Sequence, residues 1–379
     1  MRYKSFAFIL FNLFLASVSH AACKVEPIPF GKLSNGEEVT LYQMTNSSGA
    51  KLEVIDYGCR IVRIYVPDRN DVMDDVVIGY GDIESFEQGQ ERFCGAVVGR
   101  YGNRINHAGF DLDGKHYNLT PNETLGGVPV HIHGGEKGFD RVMWIGEMLN
   151  EKDRSGVRFY RRSTDGEEGY PGNLDCYVTY WWSENNICRI EYLAKTDKPT
   201  IVNLSNHTYF NLKGQQGGYV MDHLLKVEAD EFFTNNEQFV PKGEAKSVIG
   251  TPFDMREPHR VDYAIDTPSK QIVVMHGFSV CWRLRKPIGK FGRAAILWEK
   301  RNGRGVEVWT TEPGFLTYTG RGLNEKIIGK DGRPMEKFGA MLLETLHFPD
   351  SPNRDDFPST VLRPNETYYS VTEFRFFCK

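Results

Sequence analysis

Through most of the chain, apolar and polar positions alternate with the two-residue period of half-buried β-strands. The runs "EVTLYQM", "KLEVIDYGCRIVRIYV", "CYVTYWW", "CRIEYLAKT", "TIVNLSNHTYFNL", "HLLKVEADEFF", "AAILWEK", "VEVWTT" and "YYSVTEFRFF" are dense in β-branched and aromatic side chains, which pack well on a pleated surface. Between them fall "SNGEE", "DRND", "LDGK", "DGEEGYPGN", "KRNGRG" and "KDGRP", whose Gly, Pro, Asn and Asp suit hairpin turns. No long stretch keeps a helical period. The pattern predicts an all-β protein, a large β-sandwich. No Pro- or Ser-rich linker, low-complexity tract or fixed-period repeat divides it, which predicts one domain over residues 24–379.

Two runs break the pattern with a polar group. "VNLSNHTYFNL" reads as a buried strand yet sets His207 between Asn206 and Thr208, and "MLLETLHFPDSPN" is an apolar strand interrupted by Glu344. An acid inside an apolar strand is costly unless it is paired or used. Three further segments carry polar side chains in glycine-rich or turn-like surroundings: "VVGRYGNRINHAGFDLDG" with Asn103 and Arg104, "VHIHGGEKGFDRVMW" with His131 and His133, and "TPFDMREP" with Asp254. Each also has a structural reading, as a hydrogen-bonded core histidine, an ion pair or a turn former. His131-x-His133 has the spacing that turns two imidazoles to one face of a strand for a metal. No carboxylate third ligand lies near it in the sequence, and no metal site is expected. A nucleophile elbow, a P-loop and a dinucleotide fingerprint are all absent.

Composition narrows the setting. The chain has 379 residues and a formal net charge of −4, so it can bury a large core and has no global electrostatic bias toward nucleic acid. At the amino terminus, Arg2 and Lys4 precede an apolar run from Phe6 to Val18 and the small-residue pattern Ser19-His20-Ala21. That run is too short to span a membrane and reads as an export signal over residues 1–21, cleaved after Ala21. Cleavage after Ala22 would instead leave Cys23 as a lipid anchor, although His20 stands where such a signal wants an aliphatic residue. The seven cysteines include no C-x-x-C pair and read mostly as small buried hydrophobes. Six glycosylation sequons begin at Asn46, Asn118, Asn122, Asn203, Asn206 and Asn365. A glycan at Asn203 or Asn206 would block whatever His207 does.

The ordered set "GRYGNRI", "HGGEKGFDRVMW", "DGEEGYPGNL", "NLSNHTYFNL", "GTPFDMREP", "PGFLTYTG" and "LETLHFPDSPN", with the opening "LEVIDYGCRIVRIYVPDRNDVMDDVVIGY", spans nearly the whole chain. It resembles the aldose 1-epimerases, or galactose mutarotases. That resemblance implies the galactose mutarotase-like supersandwich, a cavity for a hexose in its ring form, and no metal or organic cofactor. By position it implies His207 as general acid and Glu344 as general base, with Asn103, Arg104, His133 and Asp254 as substrate contacts. The residue types suit the reaction: opening an aldose ring removes a proton from the C1 hydroxyl and gives one to the ring oxygen, which one base and one acid can do.

Three segments depart from the family pattern. Leu316 in "PGFLTYTG" stands where a glutamine is usual, Ser279 and Val280 in "HGFSVCW" replace an Asp-His pair, and "YTGRGLNE" brings in Arg321 and Gly322. A sugar hydroxyl that met Leu316 would lose its water without a partner. Either the substrate turns an apolar face there, or the segment Thr319 to Glu325 supplies a polar group. These departures support a second reading, a sugar-binding protein on the same scaffold with weak or no catalysis. Retention of His207 and Glu344 opposes it. A mutarotase of sugar phosphates would want an added cluster of Arg or Lys, which is not evident in the sequence.

Overall fold

The computed structural model describes residues 23–215 and 217–379; the export signal read over residues 1–21 lies outside them. The alternating runs pair as antiparallel strands in two large sheets. One has nine strands, in the order Ile145–Asn150, Arg154–Ser163, Leu174–Ser183, Ile187–Thr196, Tyr368–Cys378, Arg304–Thr310, Gly292–Trp298, Leu224–Val227 and His259–Arg260. The other has seven, in the order Lys246–Ser247, Ala229–Phe233, Ser279–Leu284, Gly314–Tyr318, Met341–Leu346, Tyr209–Phe210 and Val77–Ile78. A five-stranded antiparallel sheet from Lys24–Lys32 to Met73–Asp75 completes the main layers. Val178, Tyr192 and Phe374 of the larger sheet join Trp282, Phe315 and Leu343 of the seven-stranded sheet in one buried cluster. That shared core is what packs two sheets face to face.

Turn chemistry locates the hairpins well. "SNGEE" joins Lys24–Lys32 to Glu38–Thr45, "LDGK" joins Gly109–Leu112 to Lys115–Asn118, and "KRNGRG" joins Gly292–Trp298 to Arg304–Thr310. Three differences from the sequence reading have physical causes. Lys24–Lys32 contains Pro27 and Pro29 and does not read as a strand; it lies at a sheet edge, where a missing N–H costs no ladder bond. "HLLKVEADEFF" divides at Glu228 into Leu224–Val227 and Ala229–Phe233, which belong to different sheets. "TIVNLSNHTYFNL" breaks into Thr200–Ile201, Ser205–Asn206 and Tyr209–Phe210, each pairing with a different partner strand.

The α-helices are short, Ile83–Gln88, Val261–Asp266 and Lys270–Met275. Among the described residues no helix is long and apolar enough to cross a membrane. The seven cysteines form no disulfide, and all but Cys378 are buried. Of the sequon asparagines, Asn46, Asn203 and Asn206 are buried, so no glycan can occupy them in this fold.

Candidate active site

Strand register builds the site. On Met341–Leu346, Glu344 sits directly opposite Leu316, and Leu316 opposite Cys281. Because side chains alternate across a sheet, Ser279, Cys281, Leu316, Tyr318, Leu342 and Glu344 share one face, while Val280, Trp282, Phe315 and Leu343 belong to the core beneath. On the other flank Tyr209 pairs with Leu342. His207, two residues before that strand, lines the same cavity as Glu344. The shared face forms the floor of a cavity of about 250 Å³, into which Asn103, Arg104, His133, His207, Tyr209 and Glu344 all project. Its size falls below the roughly 300–1,000 Å³ of sites for drug-sized ligands and suits one monosaccharide.

His207 is held by its backbone rather than by a continuous strand. Its N–H donates to Ala96 O at 2.8 Å and its carbonyl accepts from Gly95 N at 2.9 Å. The neighbouring Asn206 side chain donates to Gly95 O at 2.9 Å and to the Tyr180 hydroxyl at 3.1 Å. The imidazole itself packs edge-on against Tyr209, at 5.1 Å between ring centroids, and against His133 at 5.0 Å. Phe210 faces the other way and packs on Phe374 in the core. A polar side chain is tolerated here because this stretch is a switch between sheets, with its imidazole in a cavity.

Burial governs the charges. Glu344 is 1% exposed and neither carboxyl oxygen has a hydrogen-bond partner among the described residues. Desolvation pushes its pKa up to about 8, against smaller lowering effects from Ser205 and Arg104. His207, also buried and with Nδ1 unpartnered, is held down to about 3, chiefly by desolvation. His133 is pushed well below the usual imidazole range by desolvation and then by His207 and Arg104. Its Nδ1 accepts the Asn103 backbone N–H at 3.1 Å, so the neutral ring keeps its proton on Nε2 as a donor. The empty cavity thus holds a neutral carboxyl beside neutral imidazoles, with an acid and a base a single proton apart.

Five of the six residues expected at the site come together there. Asn103 takes a positive φ of 64° and turns the chain so that Arg104 starts the short strand Arg104–Asn106. Arg104 is anchored by a two-pronged ion pair to Glu123, with N–O distances of 2.7 and 3.1 Å. Asp254 is the exception and corrects the sequence reading. Phe253 and Met255 on either side are buried in the core, which turns Asp254 outward into a bidentate pair with Arg256 at 2.8 Å. It lines a separate surface pocket with Lys226, Glu257 and His259.

His131 does not share the cavity with His133. Its Nδ1 contacts Thr120 O at 2.7 Å and its Nε2 contacts the Tyr170 hydroxyl at 2.6 Å, so both nitrogens are occupied. His133 lies just past the strand Val128–Ile132 at a φ of 53°, which breaks the alternation that H-x-H spacing assumes. Among the described residues no group of three or more His, Cys, Asp or Glu could hold a metal.

Several site residues escape sequence reasoning. Glu91 lines the cavity, accepts the Tyr209 hydroxyl at 3.4 Å, and has its pKa pushed up to about 7 by burial. Nothing in "GQERFCG" marks it. Phe93 is wedged against both His133 and His207, at 4.7 and 5.7 Å between centroids. Ser279, Leu316 and Arg321 also line the cavity, and their signal was their departure from the family pattern.

With this geometry in place, comparison with known proteins is decisive. The aldose 1-epimerase family profile matches residues 40–375. The chain belongs to the aldose 1-epimerase family. It is therefore an isomerase that acts on carbohydrates. The galactose mutarotase of Homo sapiens is 38% identical over 363 residues, covering 96% of this chain and 99% of that protein. The aldose 1-epimerase of Escherichia coli K12 is 32% identical over 349 residues, 90% of this chain and 96% of that one. An aldose epimerase homologue from C. elegans superimposes with a TM-score of 0.78 at 26% identity, covering 94% of this chain and 99% of its own.

Proposed function

We propose that the protein interconverts the α and β anomers of free hexoses such as galactose and glucose. The observation that carries this reading is the pair Glu344 and His207, two buried titratable groups that line one monosaccharide-sized cavity, with both Glu344 carboxyl oxygens and His207 Nδ1 unpartnered among the described residues. Mere sugar binding does not call for an unpartnered acid–base pair, which argues against the binding-protein reading.

In the mechanism, Glu344 as carboxylate takes the proton from the C1 hydroxyl and His207 gives one to the ring oxygen. The C1–O5 bond breaks, the aldehyde turns about the C1–C2 bond, and reclosure on its other face returns both protons. Before sugar binds, the proton the reaction needs rests on Glu344. Sugar hydroxyls that donate to Glu344 favour its carboxylate form and free that proton for His207. His133 Nε2–H and Arg104 stabilise negative charge developing on oxygen. No step requires a metal.

The relatives at 32–38% identity named as aldose 1-epimerase or galactose mutarotase support the hexose assignment. The charged and apolar pattern of residues 1–21 supports export, and burial of Cys23, whose thiol is pushed up to about 12 by desolvation and by Glu184, supports release over lipid anchoring. Polarimetry of freshly dissolved α-D-galactose and α-D-glucose tests the activity: the purified protein is expected to hasten the approach to equilibrium rotation. A decay no faster than the spontaneous one, with sugar binding intact, would favour the binding-protein reading instead.

A further inference from the structure

Leu316 leaves a gap in the polar lining of the cavity, and Arg321 fills the region beyond it. Leu316 and Tyr318 lie on one strand, and Arg321 follows its end in the segment that departs from the family pattern. Its guanidinium carbon lies 5.3 Å from the ring centre of Phe239 and 5.8 Å from that of Tyr318. Phe239 is itself held in a left-handed conformation, at a φ of 57°, which bulky residues rarely adopt. Yet Arg321 forms no ion pair or hydrogen bond with any described residue, and its Nε is buried and unpartnered while the side chain lines the cavity. Arg104, the other guanidinium in the cavity, is held by Glu123.

Charge balance and position agree. Leu316 stands opposite Glu344, Tyr318 stands two residues further along the strand opposite Leu342, and Arg321 follows the strand's end with its guanidinium beside Tyr318. Arg321 therefore enters the cavity from the side leading away from Glu344. With Glu123 paired to Arg104, and with Glu91 and Glu344 pushed toward their neutral forms by burial, Arg321 is the guanidinium of the cavity lining with no carboxylate partner among the described residues. A fixed guanidinium fork with one charge to match fits a carboxylate, which it can hold by two parallel hydrogen bonds. A phosphate dianion would call for a second free cation.

Resting on the mutarotase reading above, we infer that the preferred substrate is an aldose bearing a carboxylate at the end of the ring remote from C1, a hexuronic acid, with Arg321 as its specificity-determining contact. Neutral hexoses are then turned over by the same Glu344 and His207 but captured less well, because Leu316 offers their hydroxyls no hydrogen bond and a neutral hydroxyl leaves the charge of Arg321 unmatched.

The test compares kcat/KM for mutarotation of D-galacturonate, D-galactose and D-galactose 6-phosphate by NMR exchange spectroscopy. Wild-type protein is expected to favour galacturonate over galactose, with a KM for galacturonate that rises with salt. Arg321→Gln is expected to lower the galacturonate-to-galactose ratio about tenfold or more, the scale of one charge-assisted pair, and Arg321→Lys to restore part of it. The salt dependence reads the same contact in the unaltered protein. Turnover of galactose without a preference for galacturonate, or a preference that survives Arg321→Gln, would overturn this inference alone. A preference for the phosphate ester over the uronate would overturn the carboxylate assignment. No acceleration with any of the three sugars would overturn the mutarotase reading itself.

Discussion

At the scale of single residues, Glu344 is where stability and activity should separate. Glu344→Gln and His207→Asn are each expected to lower kcat by at least about a hundredfold, the usual contribution of a positioned acid or base, in proteins that circular dichroism shows to be folded. An acid with a raised native pKa is neutral in the fold but ionised in the unfolded chain between about 4.3 and about 8. The native state then binds the extra proton, so its stability falls as pH rises through that window and levels off above it. Glu344→Gln removes the dependence. Urea unfolding should show its stability relative to wild type increasing from about pH 5 to about pH 8. Activity follows the same proton: the reacting form carries the one proton that Glu344 holds before sugar binds, so kcat/KM is expected to be level toward neutral pH and to fall as pH rises through about 8. A profile with no fall between about pH 7 and about pH 10 would take that proton away from the Glu344–His207 pair. Leu316→Gln, facing Glu344 across the strand pair, should lower KM for galactose more than it changes kcat.

At the scale of elements, His207 depends on how its short segment is fastened to the turn before Val97–Val98. Asn206→Ala leaves Gly95 O and the Tyr180 hydroxyl without a side-chain partner, and should cost about 1–3 kcal/mol in urea unfolding together with a fall in kcat as the imidazole loses its fixed position. Gly95 has a φ of 68°, and a Cβ there would stand 2.0 Å from Ile61 O. Gly95→Ala must therefore push apart the very backbone that bonds His207 on both sides. Periodicity correctly placed this stretch among strands. It could not show three pieces with different partners, because a two-residue bridge carries too little pattern to reveal where pairing changes.

At the scale of the whole molecule, the site is a meeting of distant segments: Asn103 and His133 from one short sheet region, His207 from the switch, Glu344 and Leu316 from the seven-stranded sheet. Away from the site, a buried ion pair ties the turn at Lys330 to Met73–Asp75 of the five-stranded sheet. Lys330 Nζ lies 2.6 Å from Asp75 and also donates to Val77 O. Asp75→Asn leaves a buried ammonium without its counter-charge and should destabilise the protein by about 3–5 kcal/mol in urea unfolding. Activity is expected to survive prolonged dialysis against a chelator, since both His131 nitrogens are occupied and His133 works as a neutral donor. Loss of turnover that added zinc restores would overturn that expectation.

The sequence by itself determined the all-β class, most hairpins and the family, because alternation and turn residues are local properties and the ordered motifs are a matter of spelling. It also marked His207 and Glu344 as polar groups too costly to bury without use. Only the fold brings them into one cavity, since Tyr209–Phe210, just beyond His207, pairs with Met341–Leu346, more than a hundred residues away in sequence. Asp254 shows the same limit from the other side: its motif is intact, yet the burial of Phe253 and Met255 turns it to a different surface. Glu91 becomes a functional candidate only when the fold places it in the cavity; Arg321 is marked in the sequence by its departure from the family pattern, but that it has no partner is visible only in the fold.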